Sequence, residues 1–258
     1  MSGAPWEAAG QETSAPGALG ILGGMGPLAT ADFFAKLVAL TPAARDQDHL
    51  PVLIASLPDI PPRVPAILAG GPSPLPALLA ARDRLLAAGA TMLAMPCNTA
   101  HHWFDALAEC RAPMLHIADA ALHALAREAP GVTAVGLVAT RGTLRSGFYQ
   151  RRLQALGLVA IEPDDALLAQ VIEPAVAAVK AGAVVEGGRG FQRAARALHA
   201  GGAQGVILAC TEVPPALAAV GTPAGIVCID ATEALARACI DAWRALHPAA
   251  GASAPAQR

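Results

Sequence analysis

The sequence predicts an α/β protein with two pseudo-symmetric lobes, each a mostly parallel sheet flanked by helices. Short apolar runs alternate with helical stretches along the chain, which is the pattern of a parallel sheet with helices on both faces. The same pattern occurs twice. Hydrophobic residues make up 54% of the 258 residues but aromatic residues only 3%, which favours Ala-rich helices and Val/Leu-rich buried strands over a β-sandwich.

The elements follow from these runs in chain order. The strand candidates are short apolar runs, namely Ala18–Leu22, Val52–Leu57, Thr91–Met95, Pro113–Ile117, Thr133–Val138, Gly205–Ala209 and Gly225–Ile229. The helix candidates between them are Ala29–Leu40, Leu75–Ala88, Asn98–Cys110, Ala118–Ala129, Ser146–Leu156, Leu167–Lys180, Gly187–Ala200, Thr211–Val220 and Ala231–Leu246.

Three segments recur in the same order and at a nearly constant offset, which indicates an internal duplication. The pairs are Gly20–Leu28 with Gly136–Leu144, Ala87–Cys97 with His199–Cys210, and Leu115–Asp119 with Val227–Ala231. Chance similarity in an Ala/Gly/Leu-rich chain is the alternative. The duplication predicts a first lobe of residues 18–118 plus 225–246 and a second lobe of residues 119–224.

The two termini are expected to lie outside the folded lobes. Residues 1–17 are small and polar, without the basic and apolar regions of a secretory signal, and we expect them to be disordered. Residues 247–258 are Ala/Pro/Gly-rich and predict a disordered tail. No apolar run reaches the roughly 18 residues of a membrane helix.

Charge and cysteine usage exclude several classes of partner. The net charge of −2 provides neither a basic field for nucleic acid nor a polybasic segment for a membrane surface. The 5 cysteines are odd in number and widely separated, which argues against a disulfide framework. We therefore expect reduced thiols and a cytoplasmic protein.

Cys97 and Cys210 stand out because each ends an apolar strand and precedes polar residues, Asn98-Thr99 and Thr211-Glu212. The carboxyl ends of parallel strands are where ligands bind, so both cysteines should face a cleft between the lobes. Each also lies near a predicted helix N-terminus, which should lower the thiol pKa. The small polar side chains are expected to cap those helices or to donate hydrogen bonds to a substrate: Asn98, Thr99 and Thr211.

One thiol on each side of a cleft suits inversion at a carbon that carries an acidic hydrogen. One thiolate removes the proton from one face while the other cysteine, as a thiol, protonates the opposite face. A buried structural thiol is the commoner fate of a cysteine, and this is expected for Cys110, Cys228 and Cys239.

The glycine-rich loop Gly23–Ala29 admits two interpretations. It fits G-x-G-x-x-A, a dinucleotide-binding pattern, with Asp59 as a poor candidate for the acidic residue that should follow. Alternatively, its N–H groups bind a carboxylate, and Thr140 and Thr143 on the matching loop do likewise. Arg63 follows a proline-stiffened loop and is a candidate carboxylate clamp, with a surface arginine as the alternative.

No cofactor or metal is expected. Pyridoxal phosphate requires a lysine, and the chain has only Lys36, predicted on a solvated helix face, and Lys180. The possible metal cluster of Cys97, His101, His102 and Cys110 matches no common zinc spacing. The two histidines are predicted to be solvated or to cap a helix.

Three motifs together resemble the signatures of the aspartate/glutamate racemase superfamily: Gly23–Thr30, Pro96–His101 and Cys210–Glu212. The similarity covers residues 18–246. The resemblance implies two pseudo-symmetric α/β lobes with the active site in the cleft between them. It also implies a cofactor-independent mechanism with two cysteines, an amino-acid substrate and a homodimer.

Details resemble the aspartate racemase type. Thr211-Glu212 and Gly24–Pro27 differ from the corresponding pairs of glutamate racemases, and Arg63 and Lys180 fall where aspartate racemases bind substrate carboxylate. Pro62-Arg63-Val64 departs from the family pattern, so aspartate, glutamate or another amino acid remains open. Hydantoin racemisation, maleate isomerisation and non-catalytic carboxylate binding are the alternatives.

The expected site therefore has Cys97 and Cys210 as its catalytic pair. The expected substrate-binding residues are Met25, Gly26, Arg63, Asn98, Thr99, Thr140, Lys180, Thr211 and Glu212.

Overall fold

The structure of the protein is a computed structural model, and it describes residues 17–247. The segments predicted to be disordered, 1–17 and 247–258, lie outside the described residues except for Gly17 and His247.

Two parallel sheets form the framework of the described chain. The first sheet has the order β2-β1-β3, with β1 (Ala18–Gly23), β2 (Val52–Ser56) and β3 (Ala90–Ala94). The second has the order β5-β4-β6-β7, with β4 (Ala134–Ala139), β5 (Val159–Ile161), β6 (Gly205–Ala209) and β7 (Val227–Asp230). In each sheet the first strand is central and the next two flank it, as a duplication requires. The predicted two-lobed α/β fold is confirmed.

Helices connect the strands and cover the sheets. They are α1 (Pro27–Leu40), α2 (Arg63–Ala69), α3 (Leu75–Ala87), α4 (Phe104–Ala108), α5 (Ile117–Glu128), α6 (Arg141–Ser146), α7 (Phe148–Ala155), α8 (Asp165–Leu167), α9 (Glu173–Lys180), α10 (Val184–Ala200), α11 (Val213–Val220) and α12 (Ala231–Leu246). Short 3₁₀ turns span Asp46–Asp48 and Thr99–Trp103, and a π-helical turn, Leu168–Ile172, joins α8 to α9.

The segment Pro113–Ile117 lies beside β3, as predicted, but it does not form a full strand of the sheet. Only Met114 forms a parallel bridge, to Leu93 of β3, and α5 begins at Ile117. His116 stops the extended chain because its Nδ1 accepts the Ala118 N–H at 3.1 Å and so caps α5. Met114 thus lies beside β3 as β7 lies beside β6.

The end of the chain joins both lobes. Residues 225–246 were assigned to the first lobe, but β7 pairs with β6 in the second sheet, with Ile229 opposite Ile207. Helix α12 packs on both α1 and α5. The main hydrophobic cluster therefore runs through both lobes, from Leu19 and Phe33 to Ile207. This shared core fixes the two sheets relative to each other and so sets the width of the cleft.

Lys36 does not lie on a solvated face as predicted. Its Nζ contacts Asp32 Oδ2 at 2.5 Å and Asp230 Oδ2 at 2.7 Å, and its side chain is 18% exposed. Asp230 also caps α12 by accepting the N–H groups of Thr232 and Glu233. Burial opposes the charge on Lys36, but Asp230 and Asp32 outweigh it and raise the pKa of the ammonium. The cluster ties α1 to α12.

Within residues 17–247, none of the helices combines the length and the apolar character needed to cross a membrane.

Candidate active site

The carboxyl ends of the strands of both lobes line a cavity of about 160 Å³, called the inner chamber. All of the expected site residues except Gly26 line it: Met25, Arg63, Cys97, Asn98, Thr99, Thr140, Lys180, Cys210, Thr211 and Glu212. Cys97 follows β3 of the first lobe and Cys210 follows the matching strand β6 of the second. The structure therefore brings the two thiols to one cavity from opposite lobes.

The backbone of Cys97 is held by His101, which is 3% exposed. The Ile117 N–H donates to His101 Nε2 at 3.1 Å, so the ring proton is on Nδ1, which donates to the Cys97 carbonyl at 2.9 Å. Burial lowers the pKa of His101 to about 4, so the ring is neutral near pH 7. His101 is not solvated: it accepts the N–H of Ile117, the first residue of α5, and so contributes to capping that helix, and it also fixes the turn that carries Cys97.

Cys210 faces a carboxylate. Its Sγ donates to Glu212 Oε2 at 3.0 Å, and the Thr211 hydroxyl donates to the same oxygen at 3.5 Å. Lys180 Nζ is 3.7 Å from Glu212 Oε1 at the edge of the chamber, where the lysine side chain is 54% exposed. Glu212 is thus an acceptor for the proton of Cys210, beyond the substrate-binding role expected for it.

The expected lowering of the thiol pKa values is wrong. Burial raises the pKa of Cys97, and the Arg63 charge and the Ala100 N–H only partly oppose it. Burial and then the Glu212 carboxylate hold the pKa of Cys210 well above the ordinary value. The helix N-termini stabilise a thiolate only weakly here, because a 3₁₀ turn follows Cys97 and the eight-residue α11 begins only at Val213. Both groups are therefore thiols near pH 7.

Asn98 lines the inner chamber, and its side-chain amide is held by a buried tyrosine. Tyr149, which is fully buried, donates its hydroxyl to Asn98 Oδ1 at 2.7 Å. Asn98 Nδ2 is buried and has no hydrogen-bond partner among the described residues, and Asn98 makes no side-chain capping bond. A buried amide donor without a partner is costly unless a ligand satisfies it. Sequence reasoning missed Tyr149, since nothing local marks a contact with Asn98.

Three threonine hydroxyls join the lobes beside the chamber, and two of them, Thr99 and Thr140, line it. Thr99 Oγ1 lies 3.0 Å from both Thr140 Oγ1 and Thr143 Oγ1, which lie 3.1 Å from each other. Thr140 also caps α6 by accepting the Thr143 N–H at 3.2 Å. A Cβ at Gly142 would lie 2.9 Å from Thr99 Cγ2, so glycine permits this close approach. The hydroxyls are therefore partly engaged with one another.

The glycine loop is held by its own contacts. The Gly24 N–H donates to Thr30 Oγ1 at 2.8 Å, and the Thr30 hydroxyl donates to the Gly26 carbonyl at 3.0 Å. Gly24 has a φ of +90°, and a Cβ there would lie 2.2 Å from the Leu57 nitrogen. The loop places Met25 in the inner chamber, while the Gly24 N–H is already satisfied.

Arg63 begins α2 directly after the proline-rich loop, and its guanidinium faces main-chain carbonyls. Nη1 donates to the Ile60 and Pro61 carbonyls at 3.2 Å each, and Nη2 donates to the Met25 carbonyl at 3.1 Å. These bonds take up part of the donor capacity that a bidentate clamp would need. The positive charge of Arg63 nevertheless lies near Cys97, where it favours the thiolate form of that cysteine.

A larger cavity of about 680 Å³, called the outer chamber, adjoins the inner one. Gly26 lines only this cavity. The residues common to both chambers are Pro62, Arg63, Lys180, Thr211 and Glu212.

The other cysteines lie away from the cleft as free thiols, with Cys239 buried and Cys110 and Cys228 half-buried. Burial raises the pKa of Cys228 to about 11. Within the described part of the chain, no three His, Cys, Asp or Glu side chains are grouped to hold a metal ion. His102 is exposed, and its Nδ1 lies 3.0 Å from Ser146 Oγ.

Comparison with solved structures supports the fold and the class of enzyme. Picrophilus torridus aspartate racemase superposes with a TM-score of 0.76 at 30% identity, covering 88% of this chain and 94% of that protein. Francisella tularensis glutamate racemase has a TM-score of 0.64 at 14% identity, covering 88% of this chain and 81% of that protein, a likeness of fold alone.

Comparison of sequences leads to the same group. The broad specificity amino-acid racemase RacX of Bacillus subtilis is 29% identical over 171 residues, which are 63% of this chain and 70% of RacX. Residues 22–239 match the family model of Asp/Glu/Hydantoin racemases. The chain therefore belongs to the Asp/Glu/Hydantoin racemase family and is an isomerase of the amino-acid racemase type.

Proposed function

We propose that the chain racemises an amino acid without a cofactor, by two-base proton transfer between Cys97 and Cys210. The observation that carries the proposal is that both thiols, one from each lobe, line the same 160 Å³ chamber. Each is 4% exposed, so the reacting carbon would be shielded from bulk water. Opposed proton-transfer groups remove the need for one base to reach both faces of the carbon.

The reaction conserves atoms and charge in one exchange. One cysteine thiolate takes the α-proton and becomes a thiol, leaving its electron pair on the α-carbon. The other cysteine gives its S–H proton to the opposite face of that carbon and becomes a thiolate. The product is the mirror image of the substrate, and the enzyme is left with the protonation states of its two cysteines exchanged.

Asn98 and Arg63 are suited to hold the substrate carboxylate. The buried Nδ2 of Asn98 has donors for an oxygen in the chamber, and negative charge grows on the carboxylate as the α-proton leaves. Arg63 adds positive charge at the same cavity. Both groups therefore stabilise the carbanion more than the substrate, which is what accelerates the proton transfer.

Glu212 supplies the route by which Cys210 loses or regains its proton. The carboxylate accepts the S–H bond directly at 3.0 Å. Transfer along this bond, with Lys180 near the other carboxylate oxygen, restores the protonation state of Cys210 between turnovers, while Cys97 exchanges its proton with solvent that enters the cleft. The elevated thiol pKa values mean that a thiolate must form as substrate binds, and the substrate ammonium group favours it by opposite charge.

Aspartate is the first substrate proposed, followed by glutamate. The resemblance at Arg63, Lys180 and Thr211-Glu212, together with the Picrophilus aspartate racemase, supports this order. The same resemblance supports a homodimer, which sedimentation of the purified chain would test.

The test is proton NMR of the purified chain with L-aspartate, and separately with L-glutamate, in D2O with a reductant and no cofactor. We expect loss of the α-proton signal and appearance of the D-enantiomer. Cys110→Ala, which removes a half-buried thiol outside the chamber, should keep the activity. Cys97→Ala/Cys210→Ala should lack it. Equal activity of this double variant and the wild type would refute the proposal.

A further inference from the structure

The outer chamber is much larger than the inner chamber and shares five lining residues with it: Pro62, Arg63, Lys180, Thr211 and Glu212. Its volume of about 680 Å³ lies within the range of roughly 300–1,000 Å³ that is usual for small-molecule sites. The inner chamber, at about 160 Å³, is about a quarter of that size and holds both thiols. The α-carbon must lie between the thiols, so a long substituent on that carbon would extend into the outer chamber.

The wall of the outer chamber is largely apolar and comes from both lobes. Apolar side chains line it from the start of α1, the loop after β2, and α9 and α11: Pro27, Leu28, Ile60, Val179 and Pro215. Leu28 is 49% exposed, so a large apolar side chain on this wall is left partly in water. A substrate side chain that covered it would remove apolar surface from water, which is favourable.

The charges at the junction of the chambers do not favour an acidic side chain. Arg63 donates to three main-chain carbonyls, and Lys180 lies 3.7 Å from Glu212. Asp59 adds a second carboxylate to the wall. Two cations are therefore matched by two anions, and a carboxylate on the substrate side chain would meet Glu212 and Asp59 as well as the cations.

We propose that the outer chamber is the side-chain subsite, and that the substrates include α-amino acids with extended, neutral, apolar side chains. The proposal rests on the proposed racemase function and extends it beyond aspartate. It assigns specificity to the wall formed by Leu28 and its apolar neighbours.

A homologous series tests the subsite. The kcat/KM for racemisation by the full chain is measured for alanine, 2-aminobutyrate, norvaline and norleucine, with aspartate in parallel. We expect kcat/KM to rise about fourfold with each added methylene, the factor that corresponds to about 0.8 kcal/mol per buried methylene. Racemisation of aspartate with a flat or falling profile along the series would overturn the subsite and leave the racemase function intact. No exchange with any amino acid would overturn both.

A pair of variants locates the effect. Leu28→Trp fills part of the outer chamber and should lower the norleucine-to-alanine ratio of kcat/KM about tenfold or more. Val38→Trp is the matched control, because Val38 lies on the same helix, is 46% exposed and does not line the chamber. The control should keep the wild-type ratio. A ratio unchanged by Leu28→Trp would show that the chamber is only an entrance to the cleft.

Discussion

Cys210 Sγ donates a hydrogen bond to Glu212 Oε2 at 3.0 Å, so the thiol of the second lobe is held directly against a carboxylate. The charge acting most strongly on Cys97 is that of Arg63, which is positive. The two thiols are therefore equivalent in topology but opposite in electrostatic surroundings. Cys210 therefore holds its proton more firmly in the resting site, and Cys97 loses its proton more easily.

Glu212→Gln should make Cys210 ionise more easily. Removing the carboxylate removes the like charge that raises the thiol pKa, although burial still acts. A fall of one pKa unit would increase the thiolate fraction, and so alkylation by iodoacetamide near pH 8, about tenfold. Mass spectrometry of the Cys97 and Cys210 peptides separates the two sites. Glu212→Asp keeps the charge as a control, and identical alkylation profiles for Cys210 in Glu212→Gln and wild type would contradict this account.

Tyr149→Phe should weaken substrate binding more than it slows turnover. Without the hydroxyl that holds Oδ1 at 2.7 Å, the Asn98 amide is free to turn away from the chamber. We expect KM to rise severalfold, kcat to change less, and the free energy of unfolding to fall by about 1 kcal/mol. Leu153→Val, a buried change on the same helix, controls for the loss of stability. If both variants are equally destabilised and neither changes KM, Tyr149 has only a structural role.

Stability should fall as the pH drops below about 6.5. Burial lowers the pKa of His101 to about 4 and that of His116 to about 2, while unfolded histidines titrate near 6.5. Between these values the unfolded chain binds more protons, so the stabilisation is complete above pH 6.5 and is lost as pH falls towards the folded pKa values. Each histidine contributes a slope of about 1.4 kcal/mol per pH unit.

Urea unfolding at about pH 7 and about pH 5 measures this slope. His116→Asn keeps a side chain able to cap α5 but removes the titrating ring, and should reduce the pH dependence by about half. Equal unfolding free energies at the two pH values in the wild type would show that the buried histidines do not control acid stability.

Lys36→Met should destabilise the packing of α1 against α12. The substitution leaves the half-buried carboxylates of Asp32 and Asp230 without their cation, and we expect a loss of about 2 kcal/mol, below the fully buried case. Arg237→Met breaks an exposed pair with Glu233 and should cost about 0.5 kcal/mol or less. Chemical denaturation compares them, and equal losses in the two variants would argue against a special role for the Lys36 cluster.

Much of the fold follows from local pattern. The predicted bounds of β6 (Gly205–Ala209) and α12 (Ala231–Leu246) match the structure, because apolar strands and amphipathic helices carry strong periodic signals. The edge strand β5 was missed because it has only three residues. The helices α2 and α6 were missed because both are short, and one follows a proline-rich loop while the other lies in a segment interpreted as a loop. The two cysteines could be placed together because parallel strands share one functional edge.

Other features depend on contacts that a local pattern does not contain. Tyr149 reaches Asn98 across 51 residues of sequence, and Lys36 reaches Asp230 through tertiary packing. The thiol pKa values were predicted with the wrong sign because burial and the direction of the Glu212 side chain outweigh a helix N-terminus. The pairing of β7 with β6 likewise depends on tertiary contacts, because the last strand extends the second sheet while α12 packs on α1 of the first lobe.

The most direct test of the two-base mechanism is enantiomer-specific exchange of the α-proton in D2O by Cys97→Ala and Cys210→Ala. Each variant is incubated separately with the L- and D-forms of the substrate, and exchange and inversion are followed by NMR and chiral chromatography. The mechanism predicts that each variant exchanges only one enantiomer, a different one for each, and that inversion falls about 100-fold or more in both. Wild-type rates of inversion in either single variant would contradict it.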